Sequence, residues 1–184
     1  MPTSPKGKPL LLLDVDGPLN PFAARRFLLP RLRGYATHRV LPDGWVASRA
    51  ARGIRATPLR VRLNPQHGAV LLGLPFELVW ATAWTHDANA MISPRVGLPE
   101  LPVIEWPVTT MEAAQDGIHW KTRHLVAWAA GRPFAWVDDG IQDADRTWVG
   151  ENHTGAALLH HVDPRIGLTE RDFTVLRDWA AAAR

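Results

Sequence analysis

Cysteine is absent from the chain, so neither a disulfide framework nor a thiolate metal site is available to it. Long apolar runs are missing as well. The stretch after the lysine-bearing amino terminus, Met1 to Pro9, stops at Asp14, too soon for a signal-peptide core or a membrane span. These absences lead to the expectation of a soluble, cytoplasmic protein with no membrane partner. Lysine is scarce, with three residues in 184, and no internal repeat or low-complexity tract is present. That length suits one domain with a substantial core and is too short for two of ordinary size, so 1–184 is read as a single domain.

Acids are nearly missing from the first part of the chain. Met1 to Pro75 carries twelve Lys and Arg against three Asp, whereas Phe76 to Arg184 carries nine against fifteen acids. Ten of the early positives are arginines between Arg25 and Arg62, where the sole acid is Asp43. A GC-rich coding bias explains abundant Arg, Ala, Pro and Gly, but not a local lack of acids. Clustered guanidinium groups draw phosphates, which makes Arg25, Arg26, Arg31 and Arg33 candidate substrate-binding residues for a polyanion.

Short apolar runs read as strands at Leu10 to Asp14, Glu77 to Ala83, Pro102 to Trp106, Pro133 to Asp138 and Ala156 to Val162. Helical patterns lie between them. Asn64 reads as an N-cap, with Pro65 opening a helix to about Leu74. His119 to Ala130 places Leu125, Trp128 and Ala129 at core-facing spacing before the stop at Gly131. Thr169 and Asp172 form a capping box for a terminal helix through Ala183. Alternation of this kind predicts an α/β fold, a Rossmann-like parallel sheet of about five strands with helices on both faces. The segment 18–63 is too long for a simple crossover. It contains β-rich stretches at Gly34 to Leu41 and Thr57 to Leu63, with Pro42-Asp43-Gly44 as a turn, and is read as an inserted, partly β, arginine-rich flap over the active edge. Ser93 to Pro102, with three prolines, reads as a rigid connection.

The chemistry collects where strands end. Asp14-Val15-Asp16-Gly17 follows the run Leu10 to Leu13, and in open α/β sheets ligands bind beyond strand carboxyl ends. Two acids one residue apart repel, so either a cation sits between them or one stays protonated. Thr82 ends the second strand, Lys121 starts a helix, and Asp138-Asp139 follow the fourth strand. Hard oxygen donors without His or Cys suit Mg²⁺ rather than Zn²⁺.

This ordered set resembles the four motifs of the haloacid dehalogenase superfamily, from Leu10 to about Val162. The resemblance implies a phosphomonoesterase working through an aspartyl-phosphate. Asp14 would be the nucleophile, Asp16 the general acid and then base, and Thr82 and Lys121 the phosphoryl-binding pair. Asp138 and Asp139 would hold Mg²⁺ with the Asp14 carboxylate and the Asp16 backbone carbonyl. Asp16 argues for phosphate transfer, because dehalogenases of the superfamily lack that second acid. Pro18 departs from the Thr or Val that members often place there, which alters the contacts supporting Asp16. The segments Asp14-Val15-Asp16-Gly17-Pro18-Leu19-Asn20, Trp80-Ala81-Thr82-Ala83-Trp84 and Trp136-Val137-Asp138-Asp139 are also similar to phosphatase modules of RNA-repair proteins. That similarity adds nucleotides or nucleic-acid end phosphates as candidate substrates.

Other readings stand beside this one: a small-metabolite phosphatase, a receiver domain that holds phosphate on Asp, and a silent phosphate-binding module. The acidic pair follows Lys121 here, whereas in receivers it precedes the lysine. Trp84 is a candidate for stacking a base or sugar, and Trp106, Trp120, Trp128, Trp136, Trp148 and Trp179 read as core. Thr82 could instead cap a helix over Thr85 to Met91, while Asp143 and Asp145 read as first-turn acids of a helix.

Overall fold

The computed structural model describes residues 7–25, 33–107 and 117–183. The chain runs β1 (Leu10–Leu13), β2 (Ala36–Val40), α1 (Asp43–Ala50), β3 (Leu59–Leu63), α2 (His67–Leu72) and β4 (Glu77–Trp80). A π-helical turn (Ala88–Ile92) leads into α3 (Ser93–Val96). Then come α4 (Thr122–Ala129), β5 (Phe134–Asp138), α5 (Asp143–Asn152), β6 (Ala157–His161) and α6 (Glu170–Ala182).

Four leucines in succession make β1, and all four are fully buried. A strand can hide every side chain only when both faces of its sheet are covered. Leu11 and Leu13 pack in one core with Leu71 of α2 and with Phe173 and Leu176 of α6. Leu10 and Leu12 pack in a second core with Leu125 of α4 and Val149 of α5. Each leucine contributes about 1.5–3 kcal/mol of transfer free energy, so β1 is the keel of the fold. The sheet is parallel, in the order β4-β1-β5-β6. The carboxyl ends of β4, β1 and β5 therefore lie side by side.

The fold is α/β, with four strands in this sheet rather than five. The expected strand Pro102 to Trp106 is reduced to a single parallel bridge, Trp80 with Val103. Prolines at 102 and 107 flank it, and a residue without an N–H stops a ladder from growing. Helix starts also shift inward. The Asn64 side chain accepts from the Gln66 N–H at 3.0 Å, which makes a turn of the proline that had read as the first helical residue, and α2 begins only at His67. The Lys121 N–H is turned to His119 Nδ1 at 3.2 Å, so α4 starts at Thr122. Trp128, expected in the core, is exposed on α4. The terminal helix has the expected capping box, with Asp172 Oδ2 accepting from the Thr169 N–H at 2.8 Å.

Between β1 and α2 the chain makes a second, two-stranded antiparallel ribbon from β2 and β3. Pro42-Asp43-Gly44, read as a turn, instead opens α1, which joins the two strands. No residue of α1 is buried, so it carries no apolar period. Among the described residues, no helix is long and apolar enough to cross a membrane.

Candidate active site

Asp14 follows β1 directly, and its N–H still pairs with Val137 O of β5 at 3.0 Å, which fixes the carboxylate at the sheet edge. Lys121 Nζ reaches across from the start of α4. It donates to Asp14 Oδ2 and to Asp138 Oδ2, both at 2.7 Å, and is 2 % exposed. Asp138 is further held by the Gly140 N–H on Oδ1 at 2.8 Å and by Trp136 Nε1 on Oδ2 at 3.2 Å. Asp139 lies over the β1 turn. A Cβ on Gly17, which has φ +89°, would stand 2.6 Å from the Asp139 side chain, so only glycine lets the acid approach.

Asp14, Asp138 and Asp139 each offer a ligand oxygen, and these oxygens lie within 4.8 Å of one another. Three carboxylates face one ammonium. Burial pushes the Asp14 carboxyl up to about 6, with Lys121 opposing and Asp138 adding to the rise. Burial also pushes Asp139 up to about 6, reinforced by Asp138 and Asp14. Burial alone would lower Lys121, but Asp14 and Asp138 more than reverse that and leave it above its ordinary value. The donor set is all hard oxygen and short of positive charge, so the three carboxylates could hold a metal ion.

Thr82 is fully buried beyond β4. Its hydroxyl lies close enough to the Asp14 carboxyl to oppose the rise of its pKa, and accepts from the Trp84 N–H at 3.3 Å. Its carbonyl accepts from Trp106 Nε1 at 2.8 Å. Of the expected helix over Thr85 to Met91, the first residues are turns, and the helical part begins with the π-helical turn Ala88–Ile92.

Asp16 points elsewhere. Its Oδ1 accepts from Asn20 Nδ2 at 2.7 Å and its Oδ2 from Trp84 Nε1 at 2.8 Å. Burial raises its pKa, while the bonds from Trp84 and Asn20 pull the other way. The side chain of Asp16 is thus not part of the three-carboxylate cluster. Trp84 is largely buried, and its indole N–H is spent on Asp16. Pro18 brings no side-chain donor, and Asn20 and Trp84 supply both. Asn20 was invisible to sequence reasoning, since an asparagine ending a turn shows nothing of where its amide points. That amide has a second partner. Its Oδ1 accepts from the Arg62 N–H of β3 at 2.9 Å, tying the ribbon to Asp16.

Asp145, at the third residue of α5, belongs to helix capping and packing. It accepts from the Gln142 N–H at 2.8 Å, the His119 N–H at 2.7 Å and Thr122 Oγ1 at 2.6 Å. Asp143 is exposed and reaches Arg146. Of the four arginines singled out, Arg25 is exposed, and Arg26 and Arg31 fall outside the described residues. Arg33 lines a separate hollow with Tyr35, His67 and Glu170, which has no wall in common with the carboxylate cluster.

The ribbon and α1 roof the site. Two adjoining hollows of about 300 and 430 Å³ share Asp16, Leu59 and Trp84 as walls. On the far side, the Asp87 carboxylate accepts from the N–H groups of Asp43 and Gly44 at 3.1 and 2.9 Å, fastening the first turn of α1. In comparisons with known proteins, the chain matches no protein-family model, no curated protein and no solved structure.

Proposed function

We propose that the protein is a Mg²⁺-dependent phosphomonoesterase of the haloacid dehalogenase type, built on a Rossmann-like sheet and working through an aspartyl-phosphate at Asp14. The observation that carries this reading is the meeting of Asp14, Lys121, Asp138 and Asp139 at the carboxyl ends of neighbouring parallel strands, with a ligand oxygen from each carboxylate within 4.8 Å of the others. The ordered motifs of the sequence support it as well. Asp14, Asp138 and Asp139 would hold the metal, which when bound supplies positive charge against the phosphoryl group.

The remaining work falls to the chain. A carboxylate approaching a phosphate dianion meets repulsion, and buried Lys121 with the Thr82 hydroxyl offsets it where water is largely excluded. The Asp14 carboxylate attacks phosphorus and forms the acyl-phosphate, splitting hydrolysis into two easier displacements. Asp16, its pKa raised by burial, holds the proton that the leaving oxygen takes, and then accepts one from the attacking water. Trp84 and Asn20 orient that carboxyl group. Nucleotides and nucleic-acid ends are the favoured substrates because the roof of the site is arginine-rich.

Phosphate release from p-nitrophenyl phosphate tests the reading. Release is expected only with Mg²⁺, and Asp14→Asn should reduce it to background. A wild-type protein that releases no phosphate from any of a panel of nucleotides, sugar phosphates and phosphorylated oligonucleotides would instead be a silent binding module.

A further inference from the structure

The ribbon carries a surface that the carboxylate centre does not use. Side chains alternate along each strand, so Val61 and Leu63 turn to the core with Val40, while Arg39, Arg60 and Arg62 share the outer face. Arg39 stands opposite Arg60, and Thr37 opposite Arg62. The Arg62 N–H leaves the ladder for Asn20, which makes 37 and 62 a non-hydrogen-bonded pair. By alternation 39 and 60 are another, the kind whose Cα atoms stand closest, at about 4.5 Å. Like charges directly opposite repel. Among the described residues, no carboxylate pairs with Arg39, Arg60 or Arg62. The fold therefore sustains a positive face that no carboxylate among the described residues neutralises.

That face runs into the site. Arg60 is a wall of the 300 Å³ hollow together with Asp16, Trp84 and Phe22, whose ring is 54 % exposed. The hollow sits at the lower end of ligand-pocket sizes, about 300–1,000 Å³, room for one nucleoside-sized group. With Arg60 as one of its walls, the hollow gives a longer molecule a way out along the arginine face of the ribbon. Arg60 and Arg62 are two residues apart on one face, about 6.7 Å, a spacing that suits successive phosphates of an extended strand. Phe22 offers a stacking platform at the mouth.

We propose that Arg39, Arg60 and Arg62 bind the backbone phosphates of a single-stranded nucleic acid whose phosphorylated end enters the hollow beside Asp16, making oligonucleotide ends the substrate rather than free nucleotides or sugar phosphates. This rests on the phosphomonoesterase reading for its chemistry. The terminal monoester P–O bond breaks, water adds to phosphorus, and a hydroxyl end and inorganic phosphate result, while internal diesters stay intact. Anchoring of β3 through Asn20 holds the docked strand at a fixed offset from Asp16.

Fluorescence anisotropy with a labelled, end-phosphorylated oligothymidylate, run beside p-nitrophenyl phosphate hydrolysis, tests both levels separately. Replacing the three arginines by Glu should weaken oligonucleotide binding about 100-fold at about 0.1 M salt and flatten the log K against log salt slope by about 2, the sum of three single-strand phosphate contacts. The milder Arg39→Gln, Arg60→Gln, Arg62→Gln variant, checked for folding by circular dichroism, should lose the same slope. Arg171→Glu with Arg177→Glu on α6 should leave binding unchanged. Oligonucleotide affinity that survives both ribbon variants overturns the proposal, as does equal competition by polyglutamate. Ribbon-dependent binding by a wild-type protein that releases no phosphate would uphold the ribbon site and defeat the phosphatase reading.

Discussion

Each oxygen of Asp16 has one donor, and the two donors come from opposite sides of the site. Trp84→Phe removes the indole N–H and keeps the packing, so Asp16 loses a bond that favours its charged form. The pKa assigned to Asp16 in the pH profile of p-nitrophenyl phosphate hydrolysis should then move upward. A lost hydrogen bond to a charged group is worth about 1.5–3 kcal/mol, so kcat/KM should fall at least about 10-fold. Lys121→Met strands Asp14 and Asp138 without their cation. Breaking a buried pair by removing one partner costs about 3–5 kcal/mol, and denaturant unfolding in EDTA should show it, with Mg²⁺ restoring part. At this scale the meeting of Asp14, Lys121, Asp138 and Asp139 was legible because chain order sets them at neighbouring strand and helix ends, whereas the turning of the Asp16 side chain away from them was not. Trp84 and Asn20 were legible only as residues, since the direction of an indole N–H or an amide depends on how the chain turns around it.

Among the elements, α1 is held from outside. Asp87→Ala deprives its first two N–H groups of their acceptor, a loss of about 1 kcal/mol for a capping carboxylate, and amide exchange at Asp43 and Gly44 should quicken about 5-fold. Gly68 marks a tighter junction. A Cβ there would lie 2.1 Å from Val96 O, so Gly68→Ala forces α2 away from α3. Overpacking costs about 1–3 kcal/mol, and the shift should appear in the urea midpoint with an unchanged slope. Strands β1, β4 and β5 could be read in advance because burial writes itself as unbroken apolar runs, and the half-buried edge strand β6 because its Ala-Leu-Leu start is apolar. Helix α1 could not, because it buries no side chain and its first turn is satisfied by Asp87, a residue remote in sequence. The Pro102 to Trp106 segment has the right residue types for a strand, yet the flanking prolines leave room for only one bridge.

For the molecule as a whole, the acids gather at the sheet edge and the arginines on the roof, and the hollows between roof and body open beside Asp16. Asp14 and Asp139, both held near pKa 6, must lose their protons before a cation can bind. Stabilisation by Mg²⁺, read as the difference in thermal midpoint with and without the ion, should therefore be small near pH 4.5, grow as pH rises through about 6, and level off above about 7. Taking that difference cancels His67, whose pKa burial lowers to about 4 and which reduces stability as pH falls below its unfolded value near 6.5. One joint between roof and sheet edge is the amide of Asn20, bonded on one side to the Arg62 N–H and on the other to Asp16. Asparagine ages by losing ammonia when the following backbone nitrogen closes a succinimide ring on its side chain. The next residue here is Pro21, whose nitrogen bears no hydrogen, so that ring closure is blocked and the joint is protected from the commonest form of chemical wear.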